Sequence, residues 1–254
     1  MFSRRGFLKA TFGTCAAYEG SSLASHAGPA RAREPVRMQG AGYELYFIGA
    51  QRETVMNGKL AAAIDLRELS AARHLYAIGP IEQLRGEVTV IDSRPSLSRV
   101  GSDGAVQVTE SFEAGAPFLV WAQVPQWQSV AIPSQVRSFP ELEAFVPRWA
   151  TALGLDAPIP FLVRGRQGLI DFHILNRIGH EPHDAQKHKA IQASFELHRA
   201  EATIVGFYSP AHRGIFTSMD ATIHLHFQTP DNTSSGHIQT LEIGPDTVLS
   251  LPRG

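Results

Sequence analysis

The 254-residue chain carries 23 Lys and Arg against 24 Asp and Glu, is 43% hydrophobic and has a single cysteine. So even a balance leaves no basic footprint for a nucleic-acid partner, and no basic amphipathic helix marks a membrane surface. The length is enough to bury a substantial core in one large or two small units, and one thiol, Cys15, cannot form an intrachain disulfide, so stability must come from packing.

The first element is an export signal. Ser3-Arg4-Arg5-Gly6-Phe7-Leu8-Lys9 has the twin-arginine form, and the stretch from Ala10 to Ala27 is weakly apolar, contains Glu19 and is too short and polar for a membrane span. Residues 1–32 are therefore expected to be a removable signal that engages the Tat export machinery and directs the protein to the periplasm or the cell exterior. Small residues fit a cleavage pattern at Ser25-His26-Ala27 and also at Ala30-Arg31-Ala32, and the choice stays open. Removal would take Cys15 with it and leave 19 basic against 23 acidic side chains, a mildly acidic protein.

From Tyr43 the sequence reads as sheet. Tyr43-Glu44-Leu45-Tyr46-Phe47-Ile48 alternates aromatic and aliphatic residues, and a short helical patch is expected near Leu60 to Leu66. Val88-Thr89-Val90-Ile91, Val106-Gln107-Val108-Thr109 and Phe118-Leu119-Val120-Trp121-Ala122 are β-rich runs between turn formers such as Asp92-Ser93-Arg94-Pro95. One long helix follows. Ser138 stands as its cap and Pro140 in its first turn, while Leu142, Phe145, Val146, Trp149 and Leu153 form an apolar stripe that carries it to about Gly154, with a kink expected at Pro147.

Beyond the helix, residues 160–165 and 169–175 read as a two-stranded hairpin, and Ala190 to Leu197 as a short helix. The polar crossing between them holds His180, His183 and His188. Because His180-Glu181-Pro182-His183 spaces its histidines by three around a proline, it reads as a solvated loop rather than a second metal site. The class expected is α+β: mainly mixed or antiparallel sheets in two packed halves, roughly residues 40–135 and 155–250, with few helices, inside one domain spanning residues 33–254.

The chemistry gathers near the end of the chain. In Ile223-His224-Leu225-His226-Phe227 a strand would put His224 and His226 on one face and the apolar residues on the other. Residues 228–236 are turn formers, so a strand returning through Gly236-His237-Ile238 could bring His237 beside them. Three neutral imidazoles with an open fourth position suit zinc or another divalent transition metal, and the ligand set does not choose among them. There is no Gly-x-Ser-x-Gly elbow, Walker loop or dinucleotide fingerprint.

These residues also carry a family resemblance. Ala202-Thr203-Ile204-Val205-Gly206-Phe207-Tyr208-Ser209-Pro210, followed by His224-Leu225-His226-Phe227 and Gly236-His237-Ile238, resembles the C-terminal half of α-acetolactate decarboxylases. Leu84-Arg85-Gly86-Glu87 resembles that family's Leu-Asp-Gly-Glu, with Arg85 in place of Asp, and the resemblance covers roughly residues 43–250. It implies zinc on His224, His226 and His237, an active-site Glu87, a small hydroxy-keto acid as substrate, acetoin and carbon dioxide as products, and a homodimer.

Two departures accompany it. The family's active-site Arg has no counterpart in register: its place falls at about His173, and His173 and Arg177 are the candidates, with Glu87, for catalytic residues. The family also carries a Glu on a C-terminal tail, whereas this sequence ends at Leu251-Pro252-Arg253-Gly254. The expectation is thus a metal-dependent decarboxylase of acetolactate or of another 2-hydroxy-3-oxo acid; the alternative is an exported metal-binding relative that is non-catalytic or differently catalytic.

Overall fold

Alternation along each strand places nearly every side chain of this protein. The computed structural model describes residues 34–254; the twin-arginine motif, Cys15 and both cleavage positions lie outside the described residues. In chain order the first half runs β1 (Val36–Gly40), β2 (Tyr43–Ile48), α1 (Gln51–Asn57), β3 (Ile64–Asp65), β4 (Leu75–Pro80), β5 (Glu87–Ile91), β6 (Arg94–Val100), β7 (Val106–Thr109), β8 (Gly115–Ala116) and β9 (Leu119–Gln123). The second half runs β10 (Trp127–Ala131), α2 (Phe139–Ala152), β11 (Ile159–Leu175), α3 (Ala185–Ala190), β12 (Gln192–Tyr208), β13 (Ile223–Gln228), β14 (Ser235–Glu242) and β15 (Val248–Pro252).

The strands form a seven-stranded sheet in the order β1-β2-β9-β4-β5-β6-β7, a six-stranded sheet in the order β10-β15-β11-β12-β13-β14, and a small β3-β8 pair. All pairings between these strands are antiparallel, and with only three α-helices among the described residues the fold is α+β. No helix among them is long and apolar enough to cross a membrane.

The central strands of the first sheet are buried on both faces. Leu75 and Ala77 of β4, Val88 and Val90 of β5, and Leu119 and Trp121 of β9 pack into a core closed by Ile64 and Leu66. The intervening residues Tyr76, Ile78, Val120 and Ala122 pack instead against Leu162, Val205 and Phe207 of the second sheet. By the same alternation Glu87 and Thr89 face the second sheet.

In the second sheet β14 turns back onto β11, so that β11, β12, β13 and β14 pair in a closed ring. The inner side of that ring is apolar. Phe172, Ile204, Leu225, Phe227 and Ile238 are buried there with Leu142, Phe145 and Val146 of α2, and Phe172 meets Phe227 edge-on at 4.7 Å between ring centroids. The outer side, facing the first sheet, carries the histidines.

Four local expectations need correction. The helix expected at residues 60–66 lies earlier, at Gln51–Asn57, because Gly58 in the left-handed region (φ 61°) ends it and Ile64 is drawn into the pairing with β8. Residues 160–175 are one 17-residue strand rather than a hairpin: Gly165 (φ 133°) relaxes the chain without reversing it, and both halves pair with β12. Residues 192–197, expected as helix, belong to β12 for the same reason, the helical turn being α3 just before them. Finally, Ser138 occupies the cap position of α2 without a side-chain capping bond; Glu141 reaches back to the Arg137 N–H at 2.7 Å, and the helix passes through Pro147 unbroken.

A Cβ added at Gly236 would lie 2.7 Å from Phe172 Cδ2 and 3.0 Å from the His173 carbonyl. Phe172 is 1% exposed and cannot swing aside. Gly236→Ala is therefore expected to cost about 1–3 kcal/mol, the usual range for overpacking, and a denaturant titration showing parental stability would contradict this packing.

Candidate metal centre

Register brings the imidazoles together. His226 on β13 and His237 on β14 are direct cross-strand partners, and His237 is also the partner of His173 on β11, so three imidazoles stand in a rank across three neighbouring strands. His224 lies two residues before His226 on the same face. One ring nitrogen from each of His224, His226 and His237 falls within 4.8 Å of the others, and ring centroids are 4.7–5.3 Å apart.

Two of the three rings are oriented from behind. His224 Nδ1–H donates to the Phe216 carbonyl at 2.8 Å, which leaves Nε2 as a lone pair 3.0 Å from His237 Nδ1. His226 Nδ1 is 3.1 Å from Thr89 Oγ1 of the first sheet. Its Nε2 is buried and has no hydrogen-bond partner. A buried orphan nitrogen is costly, and a cation at the point where it converges with His224 and His237 would satisfy it. Partners of this kind on the far nitrogen are what fix tautomer and direction in metal-ligating imidazoles.

Burial also sets the charge. Desolvation lowers the His224 pKa to about 4 and holds His226 and His237 well below the ordinary imidazole value, with neighbouring imidazoles adding to the effect. All three are therefore neutral near pH 7, the form in which imidazole binds a metal.

Glu87 enters from β5. Its side chain is 2% exposed, and its two oxygens lie 3.9 Å from His173 Nε2 and 3.9 Å from His226 Nε2. Neither contact is an ion pair, because burial keeps both imidazoles neutral, His173 at a pKa of about 3. Desolvation raises the Glu87 pKa well above the usual carboxylate value, only partly offset by the Leu175 N–H, which donates to Oε1 at 3.3 Å. Burial thus favours the protonated form of Glu87.

His173, His224, His237 and Glu87 border a cavity of about 580 Å³. His173 is buried beside it, its ring 4.5 Å from that of His237 and its Nδ1 unpartnered. Being neutral, it does not supply the positive charge that an arginine would bring to the same register position. Arg177 does not line the cavity. Its guanidinium donates to the carbonyls of Gly179 and Glu181, so the structure places it as a support for the chain from Arg177 to Ala190 rather than in the cavity where a catalytic role was expected. The same stretch is not a solvated loop throughout, since Arg177 and His183 are buried while His180 is exposed.

The family model described as alpha-acetolactate decarboxylase matches residues 46–251. The chain belongs to the alpha-acetolactate decarboxylase family. Solved structures share this fold at low sequence identity. Alpha-acetolactate decarboxylase from Bacillus subtilis strain 168 superposes with a TM-score of 0.63 at 18% identity, over 82% of this chain and 86% of that one. Acetolactate decarboxylase from Bacillus subtilis subspecies spizizenii gives 0.64 at 18%, over 83% and 86%. A Staphylococcus aureus protein of unknown function, similar to alpha-acetolactate decarboxylase, gives 0.64 at 16%, over 82% and 84%. No curated protein sequence matches the chain. At these identities the structures establish the decarboxylase fold, and the family membership rests on the sequence match.

Two residues of this site escaped the sequence reading. Thr89 was legible only as strand, although its i+2 relation to Glu87 already puts both on one face, and His188 had been placed in the polar crossing yet lines the cavity.

Purified protein is expected to hold about one divalent metal per chain. Elemental analysis of His226→Ala should show occupancy far below the parent, while His183→Ala should keep it; equal retention would remove the triad. The metal-free protein should also lose stability on acidification. Burial lowers the imidazole pKa from 6.5 to about 4 in His224, so the unfolded chain binds protons that the folded one refuses as pH falls through that window. Glu87, whose pKa is raised, acts in the opposite sense and offsets part of the effect. Denaturant midpoints at pH 7, 5.5 and 4.5 that did not fall would contradict the buried, neutral cluster.

Proposed function

We propose that the protein is a metal-dependent carboxy-lyase that releases carbon dioxide from a 2-hydroxy-3-oxo acid, with acetolactate giving acetoin as the first reaction to try. The observation that supports it is the buried Glu87 carboxyl set 3.9 Å from the unpartnered His226 Nε2. An acid kept protonated beside a neutral three-imidazole cup is the equipment this reaction needs.

His224, His226 and His237 would hold zinc or another divalent transition metal. The cation, acting as a Lewis acid, would polarise the ketone of the substrate. Breaking the bond to the carboxylate carbon sends its electron pair toward that ketone and produces an enediolate, which must then take a proton at carbon. Glu87 is the proton donor in this reading. With Oε1 accepting from Leu175 N–H, Oε2 carries the proton, and solvent restores it after release of product. Neutral His173 lies against Glu87 Oε1 and His237, where it positions both without adding charge.

A second reading has an observation of its own. Among the described residues no Lys or Arg lines the cavity, so a substrate carboxylate would find no fixed cation there. That favours the non-catalytic or differently catalytic metal-binding relative. The twin-arginine motif Ser3-Arg4-Arg5-Gly6-Phe7-Leu8-Lys9 supports export by the Tat route to the periplasm or beyond in either case; a homodimer is part of the proposal through the family alone.

Incubation of zinc-loaded protein with acetolactate should release acetoin and carbon dioxide. Glu87→Gln should lower turnover by on the order of a hundredfold with metal content unchanged. Full activity in that variant would make Glu87 a bystander, and absence of turnover by the parent on any 2-hydroxy-3-oxo acid would make the metal-binding relative the better reading.

A further inference from the structure

The cavity contains one imidazole that belongs neither to the triad nor to the pair around Glu87. His188, on α3, lines it together with His173, His224 and His237. Behind it His183 Nε2 lies 3.2 Å from His188 Nδ1, with the two rings edge-on. A histidine with one nitrogen engaged by a partner has its tautomer and ring angle set by that bond. What His188 has left for the cavity is Nε2.

The surroundings explain why this histidine is held so firmly. Asp184 caps α3 by accepting from Lys187 N–H at 2.9 Å, and Lys187 Nζ donates to the Pro182 carbonyl at 2.7 Å. Arg177 N–H donates to the Leu84 carbonyl at 2.9 Å, and the guanidinium groups of Arg177 and Arg85 both reach the Gly179 carbonyl, at 3.3 and 3.5 Å. The chain that carries His188 is therefore stitched to the turn that leads into Glu87. His183 itself is 8% exposed, which is unusual burial for a residue with no role beyond solubility.

The cavity is short of charged donors. Among the described residues its lining includes the acids Glu87 and Asp220 but no Lys or Arg, and Gln239 Nε2 donates to Gln192 Oε1 at 3.2 Å. An oxygen-rich ligand in this space needs a donor that the triad does not provide.

We propose that His188 donates its Nε2–H to an oxygen of the hydroxy-keto acid in the cavity, and that His183 is the positioning residue that fixes this tautomer by donating its Nε2–H to His188 Nδ1. This assignment rests on the reading of the site as one for a 2-hydroxy-3-oxo acid. It gives the chain a neutral, oriented donor where no arginine is available, and it accounts for Arg85 and Arg177 as supports rather than ligands.

The test uses zinc-loaded protein and 2,3-dihydroxy-2-methylbutanoate, an acetolactate analogue with its ketone reduced, from which carbon dioxide cannot leave. Calorimetric titration should show binding by the parent, weakened about tenfold in His188→Ala, as for loss of one hydrogen bond, with zinc content unchanged. His188→Gln, which keeps an N–H near the position of Nε2, should bind within about threefold of the parent on the same hydrogen-bond scale. His183→Ala should weaken binding and His183→Gln restore it, a rescue that a purely structural role for His183 would not produce. Parental affinity in His188→Ala, loss of zinc from that variant, or no binding by the parent would each overturn the assignment. Acetolactate turnover, measured in parallel, separates the two claims. Turnover without any dependence on His188 in rate or binding sinks His188 alone, whereas His188-dependent binding without turnover sinks the decarboxylase reading and leaves the contact standing.

Discussion

Everything in this site depends on the pairing of β14 with two strands at once. His237 faces His226 on one side and His173 on the other, so a two-residue slip of β14 against either neighbour would part the rings, and a one-residue slip would turn His237 into the apolar interior. The pairing is secured from both faces. Inside, Gly236 leaves room for the Phe172 ring; outside, the turn between the two strands is tied to the first sheet, where Ser96 Oγ donates to Asn232 Oδ1 at 2.5 Å and Gln228 Nε2 donates to Ser96 Oγ at 2.6 Å. Arg94 adds a bond to the Pro230 carbonyl at 3.3 Å. The turn that joins the histidine strands is thus held by side chains more than 130 residues away in sequence.

Burial of this cluster between two sheets then decides its chemistry. Desolvation acts on acids and bases in opposite directions, lowering the imidazole pKa values and raising that of the Glu87 carboxyl, so that both are pushed toward their neutral forms. The same low-polarity setting that would make an isolated charge expensive therefore produces a set of neutral ligands next to a proton donor. Thr89 and the Phe216 carbonyl complete the arrangement by holding the far nitrogens of His226 and His224.

The arginines illustrate how position outweighs residue type. Arg85 and Arg177 flank the site in sequence, and either would be a natural choice for binding a carboxylate. Their guanidinium groups are directed instead to backbone carbonyls of the chain from Gly179 to Glu181, which has no regular partners of its own. Carbonyls of an irregular segment have no ladder partners, and here bonding them takes up the charge that chemistry might otherwise have used.

Read without the structure, the sequence already contained the α+β class, the face shared by His224 and His226, the return of His237 after a polar turn, and the apolar stripe of α2. Each of these follows from a local period of two or of 3.6 residues and from turn-forming composition, which neighbouring residues determine among themselves. The family pattern around Leu84-Arg85-Gly86-Glu87 marked Glu87, although only burial against His226 gives its carboxyl a raised pKa. Local pattern misjudged the continuous β11, whose two halves read as a hairpin, and the polar stretch holding His183 and His188, where composition pointed to solvent. The first was decided by β12, which pairs along the whole length of β11, and the second by contacts to Leu84 and Arg85 about ninety residues earlier in the chain. Those are choices of long-range register and packing, and no window of sequence short enough to be read locally contains both partners.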